Sequence, residues 1–340
     1  MLSQEVIFLR TIPLKQPAHI ISYAAVGGKQ EGEGPLGPRF DEIDPDSFCG
    51  RQTWEQAESE LQSRALRHAL QKCDLQSSNL DLALGGDLMN QCIGTTFALR
   101  DEGIPFYGIY GACSTMGEGL SLAAMLLSNG QFDRAAVMTS SHFCTAERQY
   151  RNPLPYGSQR TPTAQWTATA SGCCILGTQG EATCITHVCP GRIQDFGIID
   201  VNNMGGAMAP AAIDTLSTVF TDTHTTPEDY DMIFTGDLGE LGHDIVVDLM
   251  GRQGYDLRRN YHDCGLLLYD RKGQDMHAGG SGAGCSASVL CSWILPQMKN
   301  GVWKRVLFAP TGALLSPTSS FQGESIPCIC HAVILEEVNP

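Results

Sequence analysis

Two stretches of this chain are versions of each other: LDLALGGDL at 80–88 and YDMIFTGDL at 230–238. Each reads as a buried strand closing on Gly-Asp-Leu, and the alignment pairs Asp81 with Asp231, Gly86 with Gly236 and Asp87 with Asp237. A second pair follows in the same order, NGQFDRAAVMTSS at 129–141 against NGVWKRVLFAPTG at 300–312, where Asn-Gly leads through an Arg into a strand. Two matches in register constrain the fold more than any single motif, because ordered self-similarity marks a duplicated supersecondary unit. The chain is expected to build one unit twice, as halves 1–190 and 191–340.

Between the matches, helix and strand patterns alternate. Thr53 and Gln56 make a capping pattern ahead of a helix over 53–72, with Ala57, Leu61, Ala65 and Ala69 on one stripe. Strands are expected near 80–86, 105–109, 134–140, 164–176, 181–188, 230–235, 264–269, 304–309 and 328–336, and further helices near 114–129, 239–251 and 285–298. Such alternation implies mostly parallel sheets covered by helices, so the fold class is α/β, with two similar halves packed back to back.

The 340 residues allow an ample core, and 22 Lys and Arg against 37 Asp and Glu give a formal charge of −15. That field gives no footprint for nucleic acid or anionic lipid, so any anionic ligand needs a local cluster. MLSQEVIFLR lacks the pattern of a secretory signal, and no apolar run reaches the length of a membrane span. The 14 cysteines then read as small buried hydrophobes kept reduced. Cys328, Cys330 and His331, and Cys184 and Cys189 around His187, lack a second set at zinc-ligand spacing. They read as core, and no metal or cofactor is expected. The loop GGSGAGCS at 279–286 has neither the dinucleotide spacing nor an acidic residue at the right distance, and there is no GxxxxGK[ST].

The chemistry concentrates at Cys113, in GIYGACSTMGEGLSLAAMLLSNG at 108–130. Strand, sharp turn, cysteine, helix is how a nucleophile is presented, and the free N–H groups of a first helical turn favour a thiolate or cradle a carboxylate. The repeat places Gly284 where Cys113 stands, so the helix opening recurs and the thiol does not. A single site in a duplicated scaffold would look like this, and so would a buried structural cysteine.

A duplicated α/β unit with Cys at the first helix mouth resembles the thiolase superfamily, which includes the β-ketoacyl synthases. Three segments, GIYGACSTMGEGLSLAAMLL, SSHFCTAERQYRNPLPYGSQRTPTAQWTATASG and TGALLSPTSSFQGESIP, are similar to the stage V sporulation protein AD family of spore-forming bacteria. With IFTGDLGELG and GGSGAGCS the resemblance runs over nearly the whole chain. The superfamily resemblance implies a five-layer αβαβα sandwich, usually a homodimer, with Cys113 matching the nucleophile. The condensing enzymes carry a His after the strand equivalent to 230–235, where this chain reads Thr235, Gly236 and Asp237. They carry an Asn or His in the later Gly-rich loop, where it reads Gly279, Gly280, Ser281 and Gly282. Without those bases a thiol loses activation worth orders of magnitude, so no enzymatic activity is expected.

The sporulation resemblance implies binding of dipicolinic acid, pyridine-2,6-dicarboxylate, with or without calcium. It places the protein at the inner membrane of the forespore and spore, as a peripheral partner of a membrane transport complex. A planar dianion wants helix N–H groups, Arg and hydroxyls. The candidate ligand residues are Cys113, Ser114, His142, Arg148, Arg160, Asp237 and Glu240, with Thr115 and Arg151 beside them. Blander readings stand next to these: Arg148 pairs with Glu147 or a partner subunit, and Asp237 caps the following helix as Asp87 does. An acyl-condensing enzyme with a rearranged catalytic set, and a scaffold that binds nothing small, are the alternatives.

Overall fold

The computed structural model describes residues 9–150 and 160–338. The first half contributes β1 (Ile12–Gly28), β2 (Leu82–Gly86), β3 (Phe106–Gly108), β4 (Arg134–Ser141) and β5 (Ala170–Gly177). The second repeats the series as β6 (Thr183–Cys189), β7 (Met232–Thr235), β8 (Tyr261–Asp263), β9 (Arg305–Ala309) and β10 (Ala332–Glu337). The order β8-β7-β9-β10-β6-β1-β5-β4-β2-β3 reads the same from either end. β2, β3 and β4 are parallel, β5 is antiparallel to β4 and β1 to β5, and β7, β8, β9, β10 and β6 follow the same rule. Antiparallel pairing of β1 with β6 through Ala18–Ile20 joins the half-sheets into one.

Strand alternation sends side chains to opposite faces, which builds the layers. On β2, Leu82 and Leu84 face a central core and Ala83 an outer one; on β9, Val306 and Phe308 face the same central core and Leu307 and Ala309 the opposite outer one. Helix α1 (Trp54–Lys72) covers the outer face of the first half-sheet. Its N-cap is Thr53, whose side chain accepts from the Gln56 amide at 3.3 Å. Helix α2 (Ile93–Leu99) lies beside it, while α3 (Thr115–Ser128) and a helix beginning as α5 (Ala283–Val289) fill the centre. Between them in sequence comes α4 (Met204–Thr223), which with the helix Gly239–Arg252 covers the second outer face. The layers therefore run αβαβα.

The repeat is physical as well as textual. Asp81 Oδ2 accepts from the amides of Asp133 and Arg134 at 2.8 and 3.0 Å, and Asp231 Oδ2 from those of Lys304 and Arg305 at 2.6 and 3.0 Å. Gly130 and Gly301, each ending an Asn-Gly pair, both have φ of +69°.

Three expectations change. β6 holds in the second half the place of β1 in the first, so the junction falls within 178–182 and not at 190. The apolar run 264–269 opens as a helix, Cys264–Leu267, capped by Asp263 accepting from Gly265 N, and the strand is Tyr261–Asp263 before it. The stretch 164–176 divides into Trp166–Thr167, which pairs with Gly280–Ser281, and β5.

Candidate functional site

Cys113 sits in a 3-10 turn, Ala112–Ser114, that leads into α3. Ala112 adopts φ +51°, a left-handed conformation costly for a residue with a Cβ, and this presents the next side chain away from the strand. Space for the turn comes from Gly312 of the second half, where a Cβ would lie 2.1 Å from the Gly111 carbonyl and 3.0 Å from the Ser114 amide. The thiol is buried, and Ser286 Oγ reaches the Cys113 carbonyl at 3.4 Å.

Across the pseudo-twofold, Asp237 leaves the end of β7 fully buried. Its Oδ2 accepts from Gly282 N at 2.9 Å and Ser281 Oγ at 3.3 Å, its Oδ1 from Thr311 Oγ1 at 3.1 Å, and the carboxylate is hydrogen-bonded to the Cys113 thiol. Burial pushes its carboxyl up to about 7 against the pull of these hydrogen bonds, with nearby Asp263 adding to the rise. The capping role that the repeat assigned to Asp237 belongs to Asp263, which accepts from Leu238 N and Gly239 N at 2.9 and 3.0 Å. Asp87 does what the repeat implied, accepting from Thr95 N of α2 at 2.7 Å. The two loops in which the resemblance looked for bases thus still converge on the thiol, and they bring Asp237 and Ser281.

A cavity of about 40 Å³ opens beside Cys113, walled by Leu88, Ala146, Met204, Leu315 and two tyrosines, with Thr167 and Ser281 also exposed to it. Tyr110 and Tyr150 meet hydroxyl to hydroxyl at 2.9 Å, and Tyr150 donates on to the Leu88 carbonyl. Burial raises both phenols. Sequence reasoning missed this pair; the YG of GIYG, one turn ahead of the cysteine, was its only signal.

The other candidates lie elsewhere. Ser114 and Thr115 turn their hydroxyls back onto the Gly111 and Ala112 carbonyls, each at 2.6 Å, so they brace the turn. His142 is buried with Nε2 on the Ser47 carbonyl at 2.8 Å and Nδ1 accepting from Cys144 N at 3.1 Å. Arg148 pairs with Glu55, and its side chain is 58% exposed. Arg160 pairs with Asp275 at 3.6 Å and lies over the Trp166 ring at 5.0 Å. Glu240, exposed, pairs with Arg271 at 2.9 Å, whereas Asp237 is fully buried. Arg151 lies outside the described residues. A larger groove of about 540 Å³ between α1 and α2 carries Arg51 and Arg67, both of which pair with Glu60.

The profile of stage V sporulation protein AD (SpoVAD) matches residues 9–336. The chain is 42% identical over 327 residues, 96% of each chain, to stage V sporulation protein AD of Bacillus subtilis. The chain belongs to the stage V sporulation protein AD family. It is therefore a sporulation protein. Among solved structures it is similar to 3-oxoacyl-[acyl-carrier-protein] synthase III of Aquifex aeolicus, with a TM-score of 0.59, 12% identity, and coverage of 94% of this chain and 99% of that one. It is also similar to cerulenin-bound OleA of Xanthomonas campestris, with a TM-score of 0.63, 14% identity, and coverage of 96% and 99%. The AD-family fold is thus the thiolase-like one. No helix among the described residues is long and apolar enough to cross a membrane.

Proposed function

We propose that this AD-family protein is a non-enzymatic binding protein for pyridine-2,6-dicarboxylate, alone or as its calcium chelate, serving its uptake into the developing spore and its release in germination. It would act as a homodimer at the forespore and spore inner membrane, held there by the proteins of a transport complex. The observation that carries the non-enzymatic part is the partner of the Cys113 thiol. Beyond the helix mouth itself, a thiol nucleophile is ordinarily activated by a cationic neighbour that favours the thiolate or by an imidazole that takes its proton. Here the neighbour is the buried carboxylate of Asp237, and both ring nitrogens of His142 are engaged elsewhere.

The family, and the persistence of an apolar pocket at a helix mouth, support the ligand. Its aromatic ring suits walls such as Leu88, Met204 and Leu315, and its carboxylates suit the Tyr110 and Tyr150 hydroxyls. A cavity of about 40 Å³ admits only a few waters, so the ligand must part the tyrosine pair. The test is calorimetric titration with the 2,6-dicarboxylate, with and without calcium, and with the 3,5-isomer as control. Selective binding that Tyr110→Ala weakens at least tenfold, with the fold intact, is expected; equal heats for both isomers would sink the reading.

A second reading rests on Asp237 itself. A carboxyl near 7 beside a thiol can take the thiol proton as sulfur attacks an acyl-thioester and expels its thiol. Mass spectrometry after incubation with acyl-coenzyme A decides: an acyl adduct on Cys113 that Asp237→Asn abolishes favours an enzyme.

A further inference from the structure

Two walls of the Cys113 cavity, Met204 and Leu315, adjoin in sequence segments that expose large apolar side chains. Met204 opens α4, and the chain just before it, residues 193–199, exposes Ile193 at 64%, Phe196 at 70% and Ile199 at 64%. Leu315 is followed by a short helix, Pro317–Phe321, ending in Phe321 at 73% exposure. The chain that follows this helix, 325–328, lies beside the first segment: Gln194 and Cys328 exchange backbone hydrogen bonds of 2.8 Å, Ile326 N donates to the Ile198 carbonyl at 2.8 Å, and Ser325 Oγ donates to Asp195 at 2.6 Å. Three protruding large apolar side chains within seven residues, with Phe321 four residues before the stretch that pairs with them, are not the scattered surface leucines of an ordinary monomer.

We propose that this rim is the docking surface for a protein partner whose complementary face is apolar and fringed with Lys or Arg. The inference deepens the dicarboxylate reading and rests on it, since it makes the rim the place where ligand changes hands. Charge selects the occupant. Asp195, Asp200 and Glu324 are exposed around the patch against Arg192 alone, in a chain of net charge −15. An anionic lipid surface is repelled by that fringe. A second copy meeting the rim face to face would set the carboxylates of one chain against those of the other. A basic partner is matched by it, and cationic groups at the partner's mouth are also what a dianion leaving the pocket requires.

The test compares wild-type protein with Phe196→Glu/Phe321→Glu, whose positions are solvent-exposed and outside the cavity. Each is sedimented with inner-membrane vesicles from spores lacking this chain, with the same vesicles shaved by trypsin, and with protein-free phosphatidylglycerol vesicles. Wild-type protein is expected to sediment with the unshaved membranes only, and the double variant to lose at least tenfold of that. The variant should keep its circular dichroism and bind pyridine-2,6-dicarboxylate as wild type does. Ile193→Glu/Ile199→Glu should reproduce the loss. Binding to shaved or protein-free vesicles, no membrane binding by wild type, unchanged binding by the variants, or conversion of a wild-type dimer to monomer by the substitutions would each overturn the proposal. Failure of both proteins to bind the dicarboxylate, with the vesicle results as expected, removes the ligand reading and leaves the docking surface standing.

Discussion

Both ring nitrogens of His142 are committed, so its imidazole is fixed as the neutral form with Nε2 donating to the Ser47 carbonyl. Burial lowers its pKa and makes that form the stable one, despite the Ser47 bond that favours the charged form. A residue held this way acts on the loop it ties down, not on a ligand. His142→Ala is expected to cost about 1–3 kcal/mol in urea unfolding, because the Ser47 carbonyl and Cys144 amide lose their partner. Affinity for the dicarboxylate should stay within about twofold by calorimetry; a loss beyond tenfold with the fold intact would put His142 in the site. Sequence spacing located Cys113 because a glycine-rich turn before an apolar helix has few uses. It did not reveal the partners of Arg148 and Arg160, because local basicity is visible in a sequence, whereas the acids that pair with them, Glu55 and Asp275, come from distant segments.

At the scale of elements, the central helices cross the sheet at glycines. A Cβ on Gly284, in the first turn of α5, would lie 2.1 Å from the Ala170 carbonyl, and one on Gly172 of β5 would lie 2.4 Å from the Ala287 carbonyl. Both obstacles are backbone, which cannot swing aside. Gly284→Ala should therefore lift α5 off β5 and cost about 1–3 kcal/mol or more, read as a lower urea midpoint; an unchanged midpoint would mean the helix shifts freely. The cost also explains why the repeat carries Gly284 where Cys113 stands. Elements with one clear period were legible: α1 from its Ala57, Leu61, Ala65 stripe, β2 and β7 from the repeat itself. Helix α4 was not, because Pro210 and the Gly205–Gly206 pair read as breakers, although Gly205 is small so that the helix can approach the Leu238 carbonyl. β1 was hidden by Pro13 and Pro17, which border the stretch where its pairing with β6 shifts register between Pro13 and Ala18. The run 264–269 is apolar on every side, and such a run does not distinguish a buried strand from a buried helix.

The whole molecule buries more acid than it neutralises, and this sets how its stability responds to pH. Desolvation raises the carboxyls of Glu31, Asp87 and Asp263, pushes Glu58 up to about 8 and pushes Asp237 up to about 7. A carboxyl with a higher pKa in the fold than in the unfolded chain binds its proton more tightly when folded. Its contribution falls as pH rises from roughly 4 toward the folded value. Buried histidines work the other way: His19, His142, His187, His262 and His331 are lowered by burial, His331 to about 4, so they favour the fold as pH rises, but only up to roughly 6.5. Above that they are silent, leaving the raised carboxyls, Glu58 and Asp237 among them, to act without them. From roughly pH 8.5 the thiols join them, because burial raises Cys184 to about 11, Cys49 and Cys328 to about 12, and Cys173, Cys174, Cys264 and Cys285 well above their ordinary value. The urea midpoint, measured under reducing conditions, should therefore fall steadily from about pH 6.5 to about 9, by up to about 1.4 kcal/mol per pH unit for each group in its window. Glu58→Gln should flatten the part below about pH 8 and leave the steeper fall above it. A midpoint that holds level or climbs over that range would mean water reaches these carboxyls in solution, and the dry Cys113–Asp237 contact on which the non-enzymatic reading depends would have to be given up with them.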